Sequence, residues 1–161
     1  MMASTSDVSE APSAALVFFP PPRWSKRFGP DFFTVRFLGW KAEAAFDQFR
    51  IEVELGEDEL GGAGQSGASG AAREVFRRYS EFLQLRGDLI AQGLPVTESE
   101  ADAPFPPKAF WRNRDSRFLE ARCDALRDWM YALLKNEQFV ACQTVRDFLE
   151  LAPVAAQCLS D

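Results

Sequence analysis

The sequence predicts an α+β domain, and three observations predict it. Alternation of apolar and polar residues fills the first half of the chain. Phe33, Val35 and Phe37 are set against Thr34 and Arg36, and Phe49, Ile51, Val53 and Leu55 against Arg50, Glu52 and Glu54. Helical spacing governs the second half, most clearly over residues 117–134. Between the two lies Pro104-Phe105-Pro106-Pro107-Lys108, a run whose prolines cannot occupy a helix interior.

The chain has 161 residues, 47% hydrophobic and 13% aromatic, enough apolar material for one domain with its own core. A formal charge of -6 argues against a whole-surface attraction to nucleic acid or anionic lipid, so any anion site must be a local basic patch. Cys123, Cys142 and Cys158 are odd in number and form no C-x-x-C pair. They argue against a disulfide framework or a cysteine zinc site and for a reducing compartment. There is no histidine, which removes imidazole acid–base chemistry and most transition-metal sites. The run Ala14 to Phe19 is too short to span a bilayer and lacks a basic flank before it.

In chain order, residues 1–15 lack periodicity and read as a disordered tail. Pro20-Pro21-Pro22 should be a short extended entry, so the tail is expected over 1–22 and the domain over 23–152. Phe32 to Val53 should hold two strands, joined near Ala44–Asp47 as an antiparallel hairpin. Gly56 to Ala72, rich in Gly, Ala and Ser, reads as a long flexible insertion. Glu74 to Tyr79 should be a third strand. A short helix follows from Glu81 to about Ile90, with Ser80 as N-cap and Gly93-Leu94-Pro95 as its end. Glu98 to Asp102 reads as an acidic loop leading into the proline arm. Lys108 then sits at the end of a stiff segment, followed by Phe110 and Trp111 with Arg112 and Arg114 beside them.

The helix over 117–134 carries Phe118, Leu119, Leu126, Trp129, Met130 and Leu133 as its apolar stripe. At 100° per residue Arg122 falls near the middle of that stripe. Either its stem snorkels with the guanidinium in water, or this face lines a pocket that needs a cation. A last helix is expected from Gln143 to Leu151, and residues 153–161 read as a tail.

The strand-to-helix corner Arg77-Arg78-Tyr79-Ser80-Glu81-Phe82 is the strongest candidate for chemistry. An arginine fork on a rigid corner can grip phosphate through parallel charge-assisted hydrogen bonds. The plainer reading is a solvated arginine pair beside a half-buried tyrosine.

With these residues in hand, the sequence resembles the phox-homology (PX) domain family, most closely its sorting-nexin branch. The corner resembles the family's R-R-Y-S-[DE]-F signature, and Pro104 to Lys108 its proline arm ending in lysine. Leu119-Glu120-Ala121-Arg122 with Leu126 resembles its arginine-bearing helix, and Val145 to Leu151 its closing segment. The match runs from about Asp31 to Leu151. It departs at Asp102-Ala103, where the arm usually opens with an apolar residue and proline. It departs again at Cys123, where a second basic residue often stands, and at Cys142, where serine often caps the last helix.

The resemblance implies a three-stranded antiparallel sheet packed on a helical subdomain, and a phosphoinositide-binding module rather than an enzyme. Carried over by position, Arg78 would hold the 3-phosphate of phosphatidylinositol 3-phosphate. Tyr79 would stack beneath the ring, and Lys108 would pair with the 1-phosphate. Arg122 would hydrogen-bond the 4- and 5-hydroxyls, disfavouring lipids phosphorylated there, and Arg77 would be a structural or peripheral charge. Phe110 and Trp111 would dip into the membrane interface, with Arg112 and Arg114 as auxiliary charges. No cofactor, metal or nucleic acid is expected. The expected partner is the membrane surface itself, reached from the cytoplasm as a peripheral protein of endosomal membranes. A protein-interaction domain on the same scaffold is the alternative reading.

Overall fold

The computed structural model describes residues 16–43, 46–57, 72–108 and 115–151. The long expected insertion, the aromatic pair Phe110 and Trp111, the flanking Arg112 and Arg114, and the final tail fall outside these residues, apart from the insertion's two ends.

The two alternating runs form β2 (Phe32–Ala42) and β3 (Asp47–Leu55), and the expected third strand is β4 (Ala72–Arg78), paired antiparallel in that order. Their inward residues Phe33, Val35, Phe49, Ile51, Val53 and Val75 are all buried. A register shift between Phe37 and Gly39 marks a bulge in β2, where Gly39 takes φ 122°, a left-handed conformation that favours glycine.

A fourth strand is present that alternation could not reveal. β1 (Val17–Phe18) pairs parallel with the start of β2, Val17 opposite Phe32 and Phe18 opposite Phe33. The sheet therefore has four strands rather than three, in the order β1-β2-β3-β4. Phe18 belongs to the core, packed 5.7 Å from Phe33 and 5.2 Å from Tyr131 between ring centroids. Strand β1 thus lies within the stretch 1–22 expected as tail. The triproline is also not extended throughout. Pro21–Arg23 forms a 3-10 turn, with Pro at its first position, where the missing N–H costs nothing.

Gly56, expected to open a flexible loop, has a packing role instead. Its N–H donates to the Phe32 carbonyl at 2.8 Å, and a Cβ there would collide with the Gly29 carbonyl.

The helices are α1 (Tyr79–Ala91), α2 (Val96–Glu100), α3 (Ser116–Leu134), α4 (Glu137–Val140) and α5 (Gln143–Phe148). Two of these, α2 and α4, are absent from the sequence expectation, because runs of four or five residues carry no measurable period. Helix α1 buries Phe82, Leu85 and Leu89 and ends at Gly93, whose φ of 82° reverses the chain. Helix α3 buries Leu119, Cys123, Leu126, Trp129, Met130, Leu133 and Leu134. It is tied to the sheet by the Tyr131 hydroxyl, which donates to the Val35 carbonyl at 2.6 Å. Burial pushes that phenol up to about 12, so it remains a donor. Cys142 sits at the N-cap of α5 and makes no side-chain cap bond, as its thiol predicts.

Candidate functional site

The site begins where β4 passes into α1 with no intervening loop. Arg78 is the last strand residue and the N-cap, and Tyr79 is the first residue of the helix. The Glu81 carboxylate accepts from the Arg78 N–H at 2.7 Å, which satisfies one amide at the helix start. This cap role belongs to Glu81 and not to Ser80, which lies inside the first turn. Because the corner is both sheet and helix, the two adjacent side chains leave it in fixed directions.

Arg78 is exposed, and its guanidinium carbon lies 4.2 Å from the Phe46 ring centroid, a cation–π contact. Arg77 does a different job. Its Nε donates to the Phe148 carbonyl at 3.0 Å and its guanidinium covers the Phe148 ring at 5.1 Å. It therefore fastens α5 to the sheet, the structural role the sequence suggests.

The proline arm crosses the other side of the corner. Phe105 is wedged between Tyr79 and Trp129, at centroid distances of 5.6 and 5.0 Å. The Tyr79 hydroxyl donates to the Pro106 carbonyl at 2.7 Å. Burial raises the Tyr79 phenol, against the lowering influence of the Arg122 and Arg86 charges. The arm's base is held by α2. Arg86 grips Glu100 with two bonds, 2.6 and 2.9 Å, and the Trp129 indole donates to the same carboxylate at 2.9 Å. Those bonds from Arg86, against the cost of burial, hold the Glu100 carboxyl below its usual range, with Trp129 helping.

Arg122 closes the site from α3. Its guanidinium carbon stands 3.8 Å from the Tyr79 ring centroid and 4.7 Å from that of Phe118, and its Nη2 donates to the Pro107 carbonyl at 2.8 Å. Its Nε is buried with no hydrogen-bond partner. Burial lowers its pKa, partly offset by Tyr79. An arginine starts so far above neutrality that it stays cationic. Its place on the helix differs from expectation. The buried stripe is centred on Leu119, Cys123, Leu126, Met130 and Leu133, and Arg122 with Phe118 lies on its border, half-buried. The snorkel and the pocket turn out to be one arrangement.

Arg78, Tyr79 and Arg122 converge on one cavity of about 160 Å³, also lined by Phe46, Asp47 and Phe118. Lys108 is not in its lining. It is exposed, one residue beyond the Pro107 carbonyl that Arg122 holds. Cys123, matched by position to a basic residue of the family, points away from the cavity. It is buried with Sγ 3.8 Å from the Gly39 carbonyl, and burial pushes its thiol up to about 11.

Sequence reasoning missed Phe46, Asp47 and Phe105. Phe105 was legible as an apolar residue between prolines. Phe46 and Asp47 reach the corner only through strand register, since Gln48 is the partner of Arg78. Among the described residues no three His, Cys, Asp or Glu side chains gather as metal ligands, and no helix is long and apolar enough to cross a membrane.

A family model described as PX domain matches residues 66–152, just over half of the chain. Among solved structures, the chain is similar to the mouse SNX19 PX domain crystallised with a bound sulphate ion, a sorting nexin. The TM-score is 0.50 at 21% identity, covering 73% of this chain and 95% of that one. That likeness is one of fold. With the corner, the arm and the arginine of α3 in the family's order, the chain belongs to the PX-domain family of phosphoinositide-binding modules.

Proposed function

We propose that this PX domain reads phosphatidylinositol 3-phosphate and recruits its protein, as a peripheral cytoplasmic component, to endosomal-type membranes. The observation that carries the reading is the convergence of Arg78, Tyr79 and Arg122 on one small cavity. Two fixed cations and an aromatic face suit a phosphorylated sugar ring, and little else of that size. At about 160 Å³ the cavity is well below the roughly 300–1,000 Å³ of drug-sized pockets. In this reading Arg78 takes the 3-phosphate, Tyr79 lies beneath the inositol ring, and Arg122 meets the hydroxyls at positions 4 and 5. Lys108, exposed at the end of the arm, pairs with the 1-phosphate. Phe110 and Trp111 enter the interface, and Arg112 and Arg114 add attraction to anionic lipid. The mouse SNX19 domain, on the same fold, holds a sulphate ion, an oxyanion shaped like a phosphate.

Sedimentation with liposomes carrying each singly phosphorylated phosphoinositide tests the reading. Preferential pelleting with the 3-phosphate is the expected result. Equal pelleting with the 4- and 5-phosphates would remove the specificity. A folded protein that stays in the supernatant with all of them would favour the protein-interaction reading, for which the net charge of -6 is the supporting observation.

A further inference from the structure

The cavity contains one group at odds with a site for anions. Asp47, the first residue of β3 and an acid, lines the same cavity as Arg78 and Arg122. Its position is set by the backbone: Asp47 pairs with Ala42 across the hairpin, and its neighbour Gln48 pairs with Arg78. Phe46, on its other side, lies under the Arg78 guanidinium at 4.2 Å. Asp47 therefore lines the same cavity as the cation that would hold a phosphate.

We propose that Asp47 is a specificity-determining residue that accepts ring hydroxyls and rejects further phosphates. The inference rests on the reading of the cavity as a headgroup site and deepens it. A hydroxyl is a donor as well as an acceptor, and a carboxylate accepts without donating, so the two are complementary. A second phosphate in the same place offers only acceptors and carries like charge. It gains no hydrogen bond from Asp47 and is repelled by it. The cavity's volume of about 160 Å³ leaves an added phosphate little room to withdraw from the carboxylate. Selectivity built this way works by repelling the wrong ligand rather than by gripping the right one harder. Arg122 alone does not supply it, because an arginine attracts an extra phosphate more strongly than it attracts a hydroxyl.

The test compares soluble inositol 1,3-bisphosphate with the 1,3,4- and 1,3,5-trisphosphates by titration calorimetry. Wild-type protein should prefer the bisphosphate. Asp47→Asn should narrow that preference by about tenfold, mostly by tightening the trisphosphates. Asp47→Ser should do the same, while Asp47→Glu, which keeps the charge, should retain the preference. An unchanged ratio in Asp47→Asn and Asp47→Ser overturns the proposal. So does an equal loss for all three ligands, or loss of the fold in every variant, since either makes Asp47 structural. Wild-type protein that binds none of the ligands sinks the headgroup reading itself, a result distinct from a bound but unselective domain.

Discussion

The guanidinium of Arg122 lies 3.8 Å from the centre of the Tyr79 ring, and the two side chains hold consecutive carbonyls of the proline arm. Tyr79 donates to Pro106 at 2.7 Å and Arg122 to Pro107 at 2.8 Å. The same pair thus forms the cavity floor and fixes the segment that presents Lys108. A ligand entering beside this pair would meet side chains already held in place, which reduces the ordering cost of binding.

Arg78→Gln should abolish binding to phosphatidylinositol 3-phosphate and leave the fold intact. The side chain is exposed, and the bond to Glu81 uses the Arg78 backbone N–H, which glutamine keeps. The loss in binding should be about 2–5 kcal/mol, as for truncating one partner of a charged contact. Liposome sedimentation beside a thermal melt checks both halves.

Arg122→Leu separates stability from binding. The substitution extends the apolar surface of α3 and removes a buried Nε that has no partner. Replacing a partly buried charge by an apolar group is often neutral or stabilising. The Tm should hold or rise while lipid binding falls. Unfolding instead would mean that the bond to the Pro107 carbonyl supports the fold.

Tyr79→Phe keeps the ring and removes one bond. Pro106 is buried, so its carbonyl loses a partner that water does not readily replace. Stability should fall by about 1–3 kcal/mol, and affinity should fall less than in Arg78→Gln. Chemical denaturation and calorimetry with the soluble headgroup would show the two effects.

Glu100 should contribute to acid unfolding. Its carboxyl is held below the usual range by Arg86 and Trp129, and its side chain is 13% exposed. A depressed folded pKa adds stability that is present above the unfolded value, about 4.3, and is lost as pH falls through the folded value. Glu100→Gln should therefore be less stable at neutral pH and show a flatter decline below about pH 4.3. Parallel declines for the two proteins would assign acid unfolding to other carboxylates.

Phe110→Ala combined with Trp111→Ala should weaken liposome binding strongly and leave binding of a soluble, short-chain lipid analogue nearly unchanged. Burying two such aromatics at the interface is worth roughly 2–5 kcal/mol before ordering costs. Equal losses for both ligands would mean that the aromatics shape the cavity. No loss for either would remove insertion from the proposed function.

The sequence by itself determined what is local and repeated. Strands β2 and β3 follow from alternation, and α3 from its apolar stripe, because side-chain direction repeats every two residues in a strand and every 3.6 in a helix. Strands β2 and β3 lie ahead of residue 66, where the family model's match starts. The Arg78-Tyr79 corner and the arm were readable as motifs of fixed order. Tertiary structure decided what depends on distant partners. Strand β1 has two residues, too few for a period, and exists because Phe18 finds Phe33 and Tyr131. Glu100 ends a helix, not a loop, where Arg86 and Trp129 converge on its carboxylate. Arg122 looked central to a stripe whose true centre is set by what α3 packs against. Phe46 and Asp47 became part of the cavity through strand register, which brings residue 48 beside residue 78 and which no neighbouring residue encodes.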